Sequence, residues 1–149
     1  MYLLDTNHCS AIILGETNVI RRISEIGESN IFTCVIVQGE LRYMMERSQQ
    51  KETNIARLIE FLEDISIYRI DEYTADLYGQ LKTDLFNQFA PKEKSKRRKT
   101  KITDLGFGEN DLWIAAIALQ HNLTIVSADS DFQRIKEVKT LSVESWLTS

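Results

Sequence analysis

Four acidic residues are far apart in this 149-residue chain but stand at similar points of its pattern. Asp5 and Asp129 directly follow short apolar runs that are typical of buried strands, and Glu40 and Asp111 open predicted helices. An open parallel α/β sheet binds ligands at the carboxyl ends of its strands. We therefore expect these four carboxylates to share one pocket.

The four acids predict a site for a divalent cation. Clustered carboxylates repel one another unless a cation is bound or some of their pKa values are raised. Mg²⁺ and Mn²⁺ prefer oxygen ligands, whereas the two histidines and two cysteines of the chain lack the spacing of a zinc site. Such a metal can generate hydroxide and stabilise the charge on a phosphate during in-line displacement. The cofactor predicted from the residues is Mg²⁺ or Mn²⁺.

Polar side chains flank the two predicted strand ends. Thr6 and Asn7 follow Asp5, and Ser127 comes two residues before Asp129. Hydroxyl and amide groups at such positions either support the acidic pocket or hydrogen-bond to the backbone of their own turns. Both interpretations stay open at this point.

Two further residues near the acids have a structural interpretation. Asp131 comes two residues after Asp129 and is predicted to cap the short helix that follows, which leaves Asp129 as the acid that faces the pocket. His8 is close enough to the pocket for a general-base role, but a single histidine beside four carboxylates is more often structural. We therefore expect Asp131 to support the site and His8 to stay outside its catalytic set.

Strand and helix patterns alternate along the chain. After the opening strand, the periodicity predicts strands at 31–37, 65–70, 123–126 and 140–143, and helices at 17–26, 38–47, 53–64, 71–89 and 109–121. This alternation predicts a three-layer α/β fold whose mainly parallel sheet of about five strands is flanked by helices. Residues 1–149 are expected to form a single domain.

The basic arm, residues 92–108, has no hydrophobic periodicity and is predicted to be a loop or a mobile arm. Its first part, Lys92 to Lys101, holds seven basic residues and one acid. The rest of the chain has 11 basic and 21 acidic residues, a net charge of −10. The sequence therefore describes an acidic body with one cationic segment.

Composition places the chain among ordinary globular proteins. Hydrophobic residues make up 43% and charged residues 27%, and no apolar run approaches the roughly 18 residues of a membrane span. No basic region precedes Asp5, so we expect a cytoplasmic protein without a secretory signal. Cys9 and Cys34 are expected to be small core residues.

Four motifs in order along nearly the whole chain resemble the PIN domain, specifically the VapC toxins of bacterial toxin–antitoxin pairs. They are the apolar run into Asp5-Thr6-Asn7, the Glu40 helix, Asn110-Asp111-Leu112-Trp113 and the Val126-Ser127-Ala128-Asp129 stretch. The resemblance implies that Asp5, Glu40, Asp111 and Asp129 are the family's metal-binding quartet, with Thr6 or Asn7 beside it. It implies Mg²⁺- or Mn²⁺-dependent endonucleolytic cleavage of RNA, with tRNA among the candidate substrates.

The same resemblance implies a cognate VapB-like antitoxin and a homodimer, for which Tyr43 and Tyr78 are candidate interface residues. An RNA substrate also needs cationic phosphate contacts. We expect the basic arm to provide them, through Lys96, Arg97, Arg98, Lys99 and Lys101. The alternative for this segment is a solvated loop without contact to RNA.

Other functions fit the residues less well. A receiver-like phosphoacceptor domain needs paired acids after its first strand, whereas Asp5 stands alone. A dehalogenase-type phosphatase needs Asp-x-Asp, but Asn7 takes the place of the second aspartate. The alternative that stays open is a catalytically silent PIN fold that binds RNA or a protein.

Overall fold

The computed structural model describes residues 1–147, and its centre is a five-stranded sheet. The strands are β1 (Tyr2–Leu4), β2 (Ile31–Cys34), β3 (Ser66–Tyr68), β4 (Thr124–Val126) and β5 (Val143–Glu144). Their order in the sheet is β3-β2-β1-β4-β5, and each pairing among the described residues is parallel. The predicted fold class and strand number are confirmed.

Eight α-helices flank the sheet within the described residues. They are α1 (Thr6–Ile13), α2 (Thr17–Ile26), α3 (Val35–Glu46), α4 (Lys51–Asp64), α5 (Glu72–Phe89), α6 (Lys94–Lys99), α7 (Glu109–His121) and α8 (Ser130–Ile135). Helices α1 to α4 pack on one another, and α5 packs on α7. These two groups form the outer layers of the three-layer fold.

The chain changes direction across the sheet between β1 and β4. It runs outward from β1 to β2 and β3, and then crosses back to β4 on the other side of β1. Because parallel crossovers are right-handed, this reversal places α1–α4 and α5–α7 on opposite faces. The crevice outside the carboxyl ends of β1 and β4 is the switch point at which doubly wound sheets bind ligands.

Helix α7 is the most buried helix, as its apolar sequence predicts. Leu112 and the run 114–118 are buried, so the helix lies in the core on all sides. Its C-cap is Asn122, which adopts the left-handed conformation (φ 54°) that favours asparagine and glycine. This helix carries Asp111 in its first turn and therefore fixes that carboxylate against the core.

The second strand is shorter than predicted, and this moves Glu40. The β-branched run 31–37 predicted one strand, but β2 ends at Cys34 and α3 begins at Val35. Val37, Leu41 and Met45 recur every four residues and are buried, so helical packing overrides the β propensity of the run. Glu40 therefore lies in the second turn of α3, and the prediction that it opens the helix was wrong.

The basic arm is more ordered than predicted. Helix α6 and a 3₁₀ turn at Ile102–Leu105 replace the expected loop. Six residues are too few to show a helical period, which is why the pattern did not reveal α6. Ile102 and Phe107 are buried and anchor the end of the arm in the core.

The two cysteines are core residues, as expected. Cys9 and Cys34 are free and buried, and burial raises the pKa of both thiols, that of Cys34 to about 11. Both are therefore neutral near pH 7. Among residues 1–147, no helix has the length and apolar character needed to cross a membrane.

Candidate metal centre

The carboxyl ends of β1 and β4 place two of the predicted acids side by side. Leu4 pairs with Val126, and the Asp5 backbone N–H donates to the Val126 carbonyl at 3.1 Å. The turn that carries Ser127 and Asp129 therefore begins next to Asp5. Two of the four predicted acids thus lie at the switch point of the sheet.

Three carboxylates converge on one point beside this edge. One carboxylate oxygen from each of Asp111, Asp129 and Asp131 lies within 4.8 Å of the other two. Asp129 Oδ1 accepts the backbone N–H of Asp131 at 2.8 Å, and Asp131 Oδ2 accepts the backbone N–H of Gly108 at 3.1 Å. The acidic cluster, as we call Asp111, Asp129 and Asp131, is therefore held together by backbone donors.

The capping role assigned from sequence to Asp131 was wrong. Asp129 is the residue that caps α8, because its side chain accepts the N–H of Asp131. Asp131 lies in the first turn of α8 and reaches across to Gly108, at the start of α7. Sequence reasoning thus placed Asp131 outside the cluster to which its carboxylate belongs.

The pKa of Asp111 is raised from its usual value to about 8. Burial is the largest cause, followed by a hydrogen bond with Asp131 and by the negative charges of Asp129, Asp131 and Glu40. Near pH 7 without a cation, Asp111 therefore keeps its proton. A bound cation would displace that proton by stabilising the ionised carboxylate.

Asp5 is buried and its two carboxylate oxygens have different surroundings. Oδ1 accepts both the backbone N–H of His8 at 2.9 Å and the His8 ring Nδ1 at 2.8 Å. Oδ2 has no hydrogen bond to a described residue, and no fully buried side-chain oxygen or nitrogen among residues 1–147 lacks a partner. Oδ2 is therefore not fully buried and is left without a partner among the described residues, although Asp5 is not one of the three carboxylates that lie within 4.8 Å of one another.

His8 is completely buried and has no free ring nitrogen. Its Nε2 accepts the backbone N–H of Trp146 at 3.0 Å, so Nδ1 carries the proton that is donated to Asp5. This tautomer follows from the hydrogen-bond network. In this position His8 cannot take a proton from water as a general base.

Glu40 is held at the edge of the site. Its Oε1 accepts the Thr6 hydroxyl at 2.7 Å, and its Oε2 accepts the Asn110 side-chain amide at 3.4 Å. Thr6 is adjacent to Asp5, and Asn110 is adjacent to Asp111. Glu40 is thus not one of the three carboxylates of the acidic cluster, but its charge acts on Asp111.

The remaining predicted polar residues have different positions. Ser127 is buried, and its hydroxyl accepts the backbone N–H of Asp129 at 3.0 Å, so it fixes the turn that carries this acid. Asn7 is exposed, and its backbone oxygen accepts the Ser10 hydroxyl. The structure brings Ser127 to the site but shows no contact of the Asn7 side chain with the acids.

Sequence reasoning missed Asn110 and Gly108. Asn110 orients Glu40, and a Cβ at position 108 would come within 3.5 Å of Asp111 Oδ2. Asn110 stands directly before a predicted acid, and that adjacency was the signal in the sequence. The role of Gly108 depends on a contact with Asp131 in a distant segment, which no local pattern shows.

The donor set fits a hard divalent cation. The acidic cluster and Asp5 Oδ2 supply carboxylate oxygens, which Mg²⁺ and Mn²⁺ prefer. Burial and the neighbouring acids raise the pKa of Asp111, so its ionised form is disfavoured unless a cation is bound. Asp5, Asp111, Asp129 and Asp131 are therefore the residues that could bind the metal.

The basic arm is attached to the body through Arg97. The Arg97 guanidinium donates to the Asn87 side chain at 2.7 Å and to the Pro91 carbonyl at 3.3 Å, and it lies over the Phe86 ring. Lys94, Lys96, Arg98, Lys99 and Lys101 are exposed. Of the basic residues predicted to contact RNA, Arg97 is thus occupied by structural contacts. The others face solvent, and Lys96 among them pairs with Glu93 at 3.6 Å.

A second cationic side chain packs the end of the arm against α8, the helix that carries Asp131. Arg134 on α8 lies over the rings of Phe107 and Phe89, 4.0 and 4.7 Å from their centroids. A Cβ at Gly106 would come within 3.1 Å of the Arg134 guanidinium. The stretch that leads into Asp111 is therefore packed against the helix that carries Asp131.

The two candidate interface tyrosines differ. Tyr43 is 63% exposed and lies in an open cleft that starts at Thr6, Glu40 and Asn110. Tyr78 instead stacks on Trp113 at 3.8 Å and bonds to Glu109. Tyr43 is available for a contact with another molecule, whereas the ring of Tyr78 is already packed.

Comparison with known proteins agrees with this geometry. The PIN domain family model matches residues 2–138. Ribonuclease VapC2 of Rickettsia felis is 30% identical over 148 residues, 98% of each chain, and the tRNA(fMet)-specific endonuclease VapC of Shigella flexneri is 26% identical over 97% of each. A crystal structure of VapBC2 from Rickettsia felis, bound to a DNA fragment from its promoter, has a TM-score of 0.75 at 28% identity over 98% of both chains. The chain therefore belongs to the PIN domain family and, within it, to the VapC ribonucleases.

Proposed function

We propose that this protein is a Mg²⁺- or Mn²⁺-dependent endoribonuclease and the toxin of a toxin–antitoxin pair. The observation that carries the proposal is the convergence of Asp111, Asp129 and Asp131 beside Asp5 at the switch point of the sheet. A bound cation would neutralise this charge and supply the activated water for phosphodiester hydrolysis. The VapC relatives of Rickettsia felis and Shigella flexneri support the reaction class.

The residues of the site divide into two roles. Asp111, Asp129 and Asp131 would bind the metal because their oxygens converge, and Asp5 would add Oδ2, the oxygen that His8 leaves without a hydrogen bond. Glu40 is held by Thr6 and Asn110 at the rim, where it can orient a water or a metal-bound ligand. Ser127 fixes the turn that presents Asp129.

We propose RNA as the substrate and the basic arm as its docking segment. The body without Lys92 to Lys101 carries a net charge of −10, so RNA phosphates need cationic partners on the arm. The exposed residues of the predicted set are suited to this role, whereas Arg97 anchors the arm. The Shigella flexneri relative makes tRNA a candidate substrate class.

We infer a VapB-like antitoxin as partner, in accordance with the VapBC complex that this fold resembles. A groove of about 390 Å³ between α1, α2 and α4 is suited to an apolar helix face. Three acids and one cation line the groove beside its apolar side chains. The apolar side chains are Ile12, Ile13, Ile23, Ile31, Phe61 and Ile65, and the charged ones are Glu28, Glu60, Asp64 and Arg57. A partner with an apolar stripe, a basic flank and a cation that reaches the acidic cluster would match these surfaces.

We also infer a homodimer from the family. Tyr43 can contribute to its interface because it is exposed, whereas Tyr78 is packed on Trp113. The cytoplasm is the location in which a toxin would meet both RNA and its antitoxin.

Removing a metal ligand or the metal should abolish cleavage. The Asp5→Asn variant loses a charged ligand, so we expect its kcat to fall by more than the roughly 10–100-fold that loss of an outer-shell partner costs. Excess EDTA should abolish wild-type cleavage, and added Mn²⁺ should restore it. The assay is cleavage of a labelled RNA by antitoxin-free protein.

Asp76→Asn is the matched control, because Asp76 is an exposed acid on α5 away from the site. It should cleave like the wild type. Cleavage that persists in excess EDTA, or wild-type activity of Asp5→Asn, would contradict the metal mechanism and leave the silent-module alternative.

Changing the exposed arm residues should weaken RNA binding without affecting metal binding. We choose the triple variant Lys96→Ala, Arg98→Ala and Lys99→Ala, which leaves the Arg97 anchor in place. Each lost phosphate contact should reduce the salt slope of log K by roughly 0.7 for single-stranded RNA. Filter binding across a salt series, with an uncleavable RNA, measures both quantities.

A variant of equal charge tests whether position matters. Arg21, Arg69 and Lys136 are exposed and lie outside the arm, so replacing all three by Ala should leave the slope closer to the wild-type value. If both triple variants bind alike, the arm is a solvated loop. Phosphate contacts would then be sought at Arg47, which lines the cleft beside Glu40.

Expression of the chain alone should arrest growth, and co-expression of a small partner encoded immediately upstream should restore it. Phe61→Asp puts a charge into the apolar groove, so this toxin should still cleave RNA but escape its partner. Ile59→Asp is the control, since Ile59 on the same helix is 48% exposed. Normal growth at high expression of active protein would count against a toxin, and full rescue of Phe61→Asp would count against the groove.

A further inference from the structure

The contacts of His8 connect Asp5 to the segment that follows the last strand of the sheet. The ring is fully buried, its Nδ1–H donates to Asp5 Oδ1, and its Nε2 accepts the N–H of Trp146. Trp146 lies two residues after β5 and 138 residues from His8 in the chain. Asp5, which follows the first strand, is thus linked through His8 to the backbone N–H of Trp146, which follows the last strand.

The Trp146 N–H selects the tautomer of His8. A proton on Nε2 would point at the proton of the Trp146 amide, so only the Nδ1–H form satisfies both contacts. The Trp146 ring meets the imidazole edge-on at 6.3 Å, and it is held in turn by Tyr2 and by a 2.7 Å bond to Glu144. These contacts hold the His8 imidazole in the orientation in which Nδ1–H donates to Asp5.

This donor decides which oxygen of Asp5 is left for a metal. Oδ1 also caps α1 by accepting the His8 backbone N–H. A capping aspartate with a single donor can rotate about its Cβ–Cγ bond and exchange its two oxygens. With the second donor on the same oxygen, Oδ1 is saturated and Oδ2 is the oxygen left for a metal.

We propose that His8 is a positioning residue of the metal centre: it locks the Asp5 carboxylate through Nδ1–H, in the tautomer set by the Trp146 backbone. This inference rests on the proposed metal site and adds a residue that the acids alone do not indicate. Outer-shell hydrogen bonds of this kind typically change metal affinity by about 10–100-fold. A role confined to packing would change stability but not the metal affinity of the folded protein.

Two amide variants separate the two hydrogen bonds of His8. In His8→Asn, the side-chain amide nitrogen can occupy the position of Nδ1 and donate to Asp5, but it cannot reach Trp146. In His8→Gln, the longer side chain can accept the Trp146 N–H, but its amide lies beyond Asp5 Oδ1. We expect His8→Asn to keep Mn²⁺ affinity close to that of the wild type and His8→Gln to lose about 10-fold or more.

Thr33→Val is the matched control for lost stability. Thr33 is fully buried, and its hydroxyl donates to the carbonyl of Leu4, the residue before Asp5, at 3.1 Å. This variant removes a buried hydrogen bond beside the same strand end without touching the Asp5 carboxylate. It should lower the thermal midpoint but leave Mn²⁺ affinity unchanged.

The measurement is Mn²⁺ binding to RNA-free, antitoxin-free protein, followed by electron paramagnetic resonance of free Mn²⁺, with the thermal midpoint of each variant recorded in parallel. Equal Mn²⁺ affinity of His8→Asn and His8→Gln, or wild-type affinity of His8→Gln, overturns the positioning role. A wild type that binds no Mn²⁺ overturns the proposed metal site itself, which is a different outcome.

Discussion

Repulsion among the carboxylates of Asp111, Asp129 and Asp131 is the constraint on which the rest of the site depends. Their oxygens lie within 4.8 Å of one another, and the pKa of Asp111 is raised because burial and the neighbouring charges disfavour its ionised form. The fold does not relieve this repulsion by moving the three carboxylates apart. Backbone donors from Gly108 and Asp131 hold the acids together, so the metal-free site carries an unfavourable charge that a divalent cation would offset.

The fold brings distant segments to this point through its topology. Strands β1 and β4 are neighbours because the chain reverses direction between them, and their carboxyl ends carry Asp5 and the turn of Asp129. Helix α7 adds Asp111 from a buried position, and Thr6 and Asn110 connect Glu40 to both groups. His8 links Asp5 to the backbone of Trp146, two residues after β5.

Local patterns in the sequence predicted much of this arrangement. The alternation of strands and helices predicted the parallel sheet, and the position of Asp5 after an apolar run predicted its place at a strand end. The local patterns gave wrong predictions where contacts between distant segments determine the structure. Burial of Val37 and Leu41 converts the end of a β-branched run into helix, and the reach of Asp131 to Gly108 cannot be seen along the chain. The ordering of α6 by Arg97 is likewise a contact across ten residues.

If a divalent cation offsets the charge of the acidic cluster, the unfolding free energy of the protein should respond to it directly. The folded-state pKa of Asp111 lies above its unfolded value, so metal-free protein binds this proton more tightly when folded and loses stability as the pH rises from about 4 to about 8. Urea unfolding in EDTA should therefore show a lower free energy near pH 8 than near pH 5. Asp111→Asn should flatten this difference, and Mn²⁺ should restore the wild type near pH 8. An unfolding free energy near pH 8 that Mn²⁺ leaves unchanged would contradict the account.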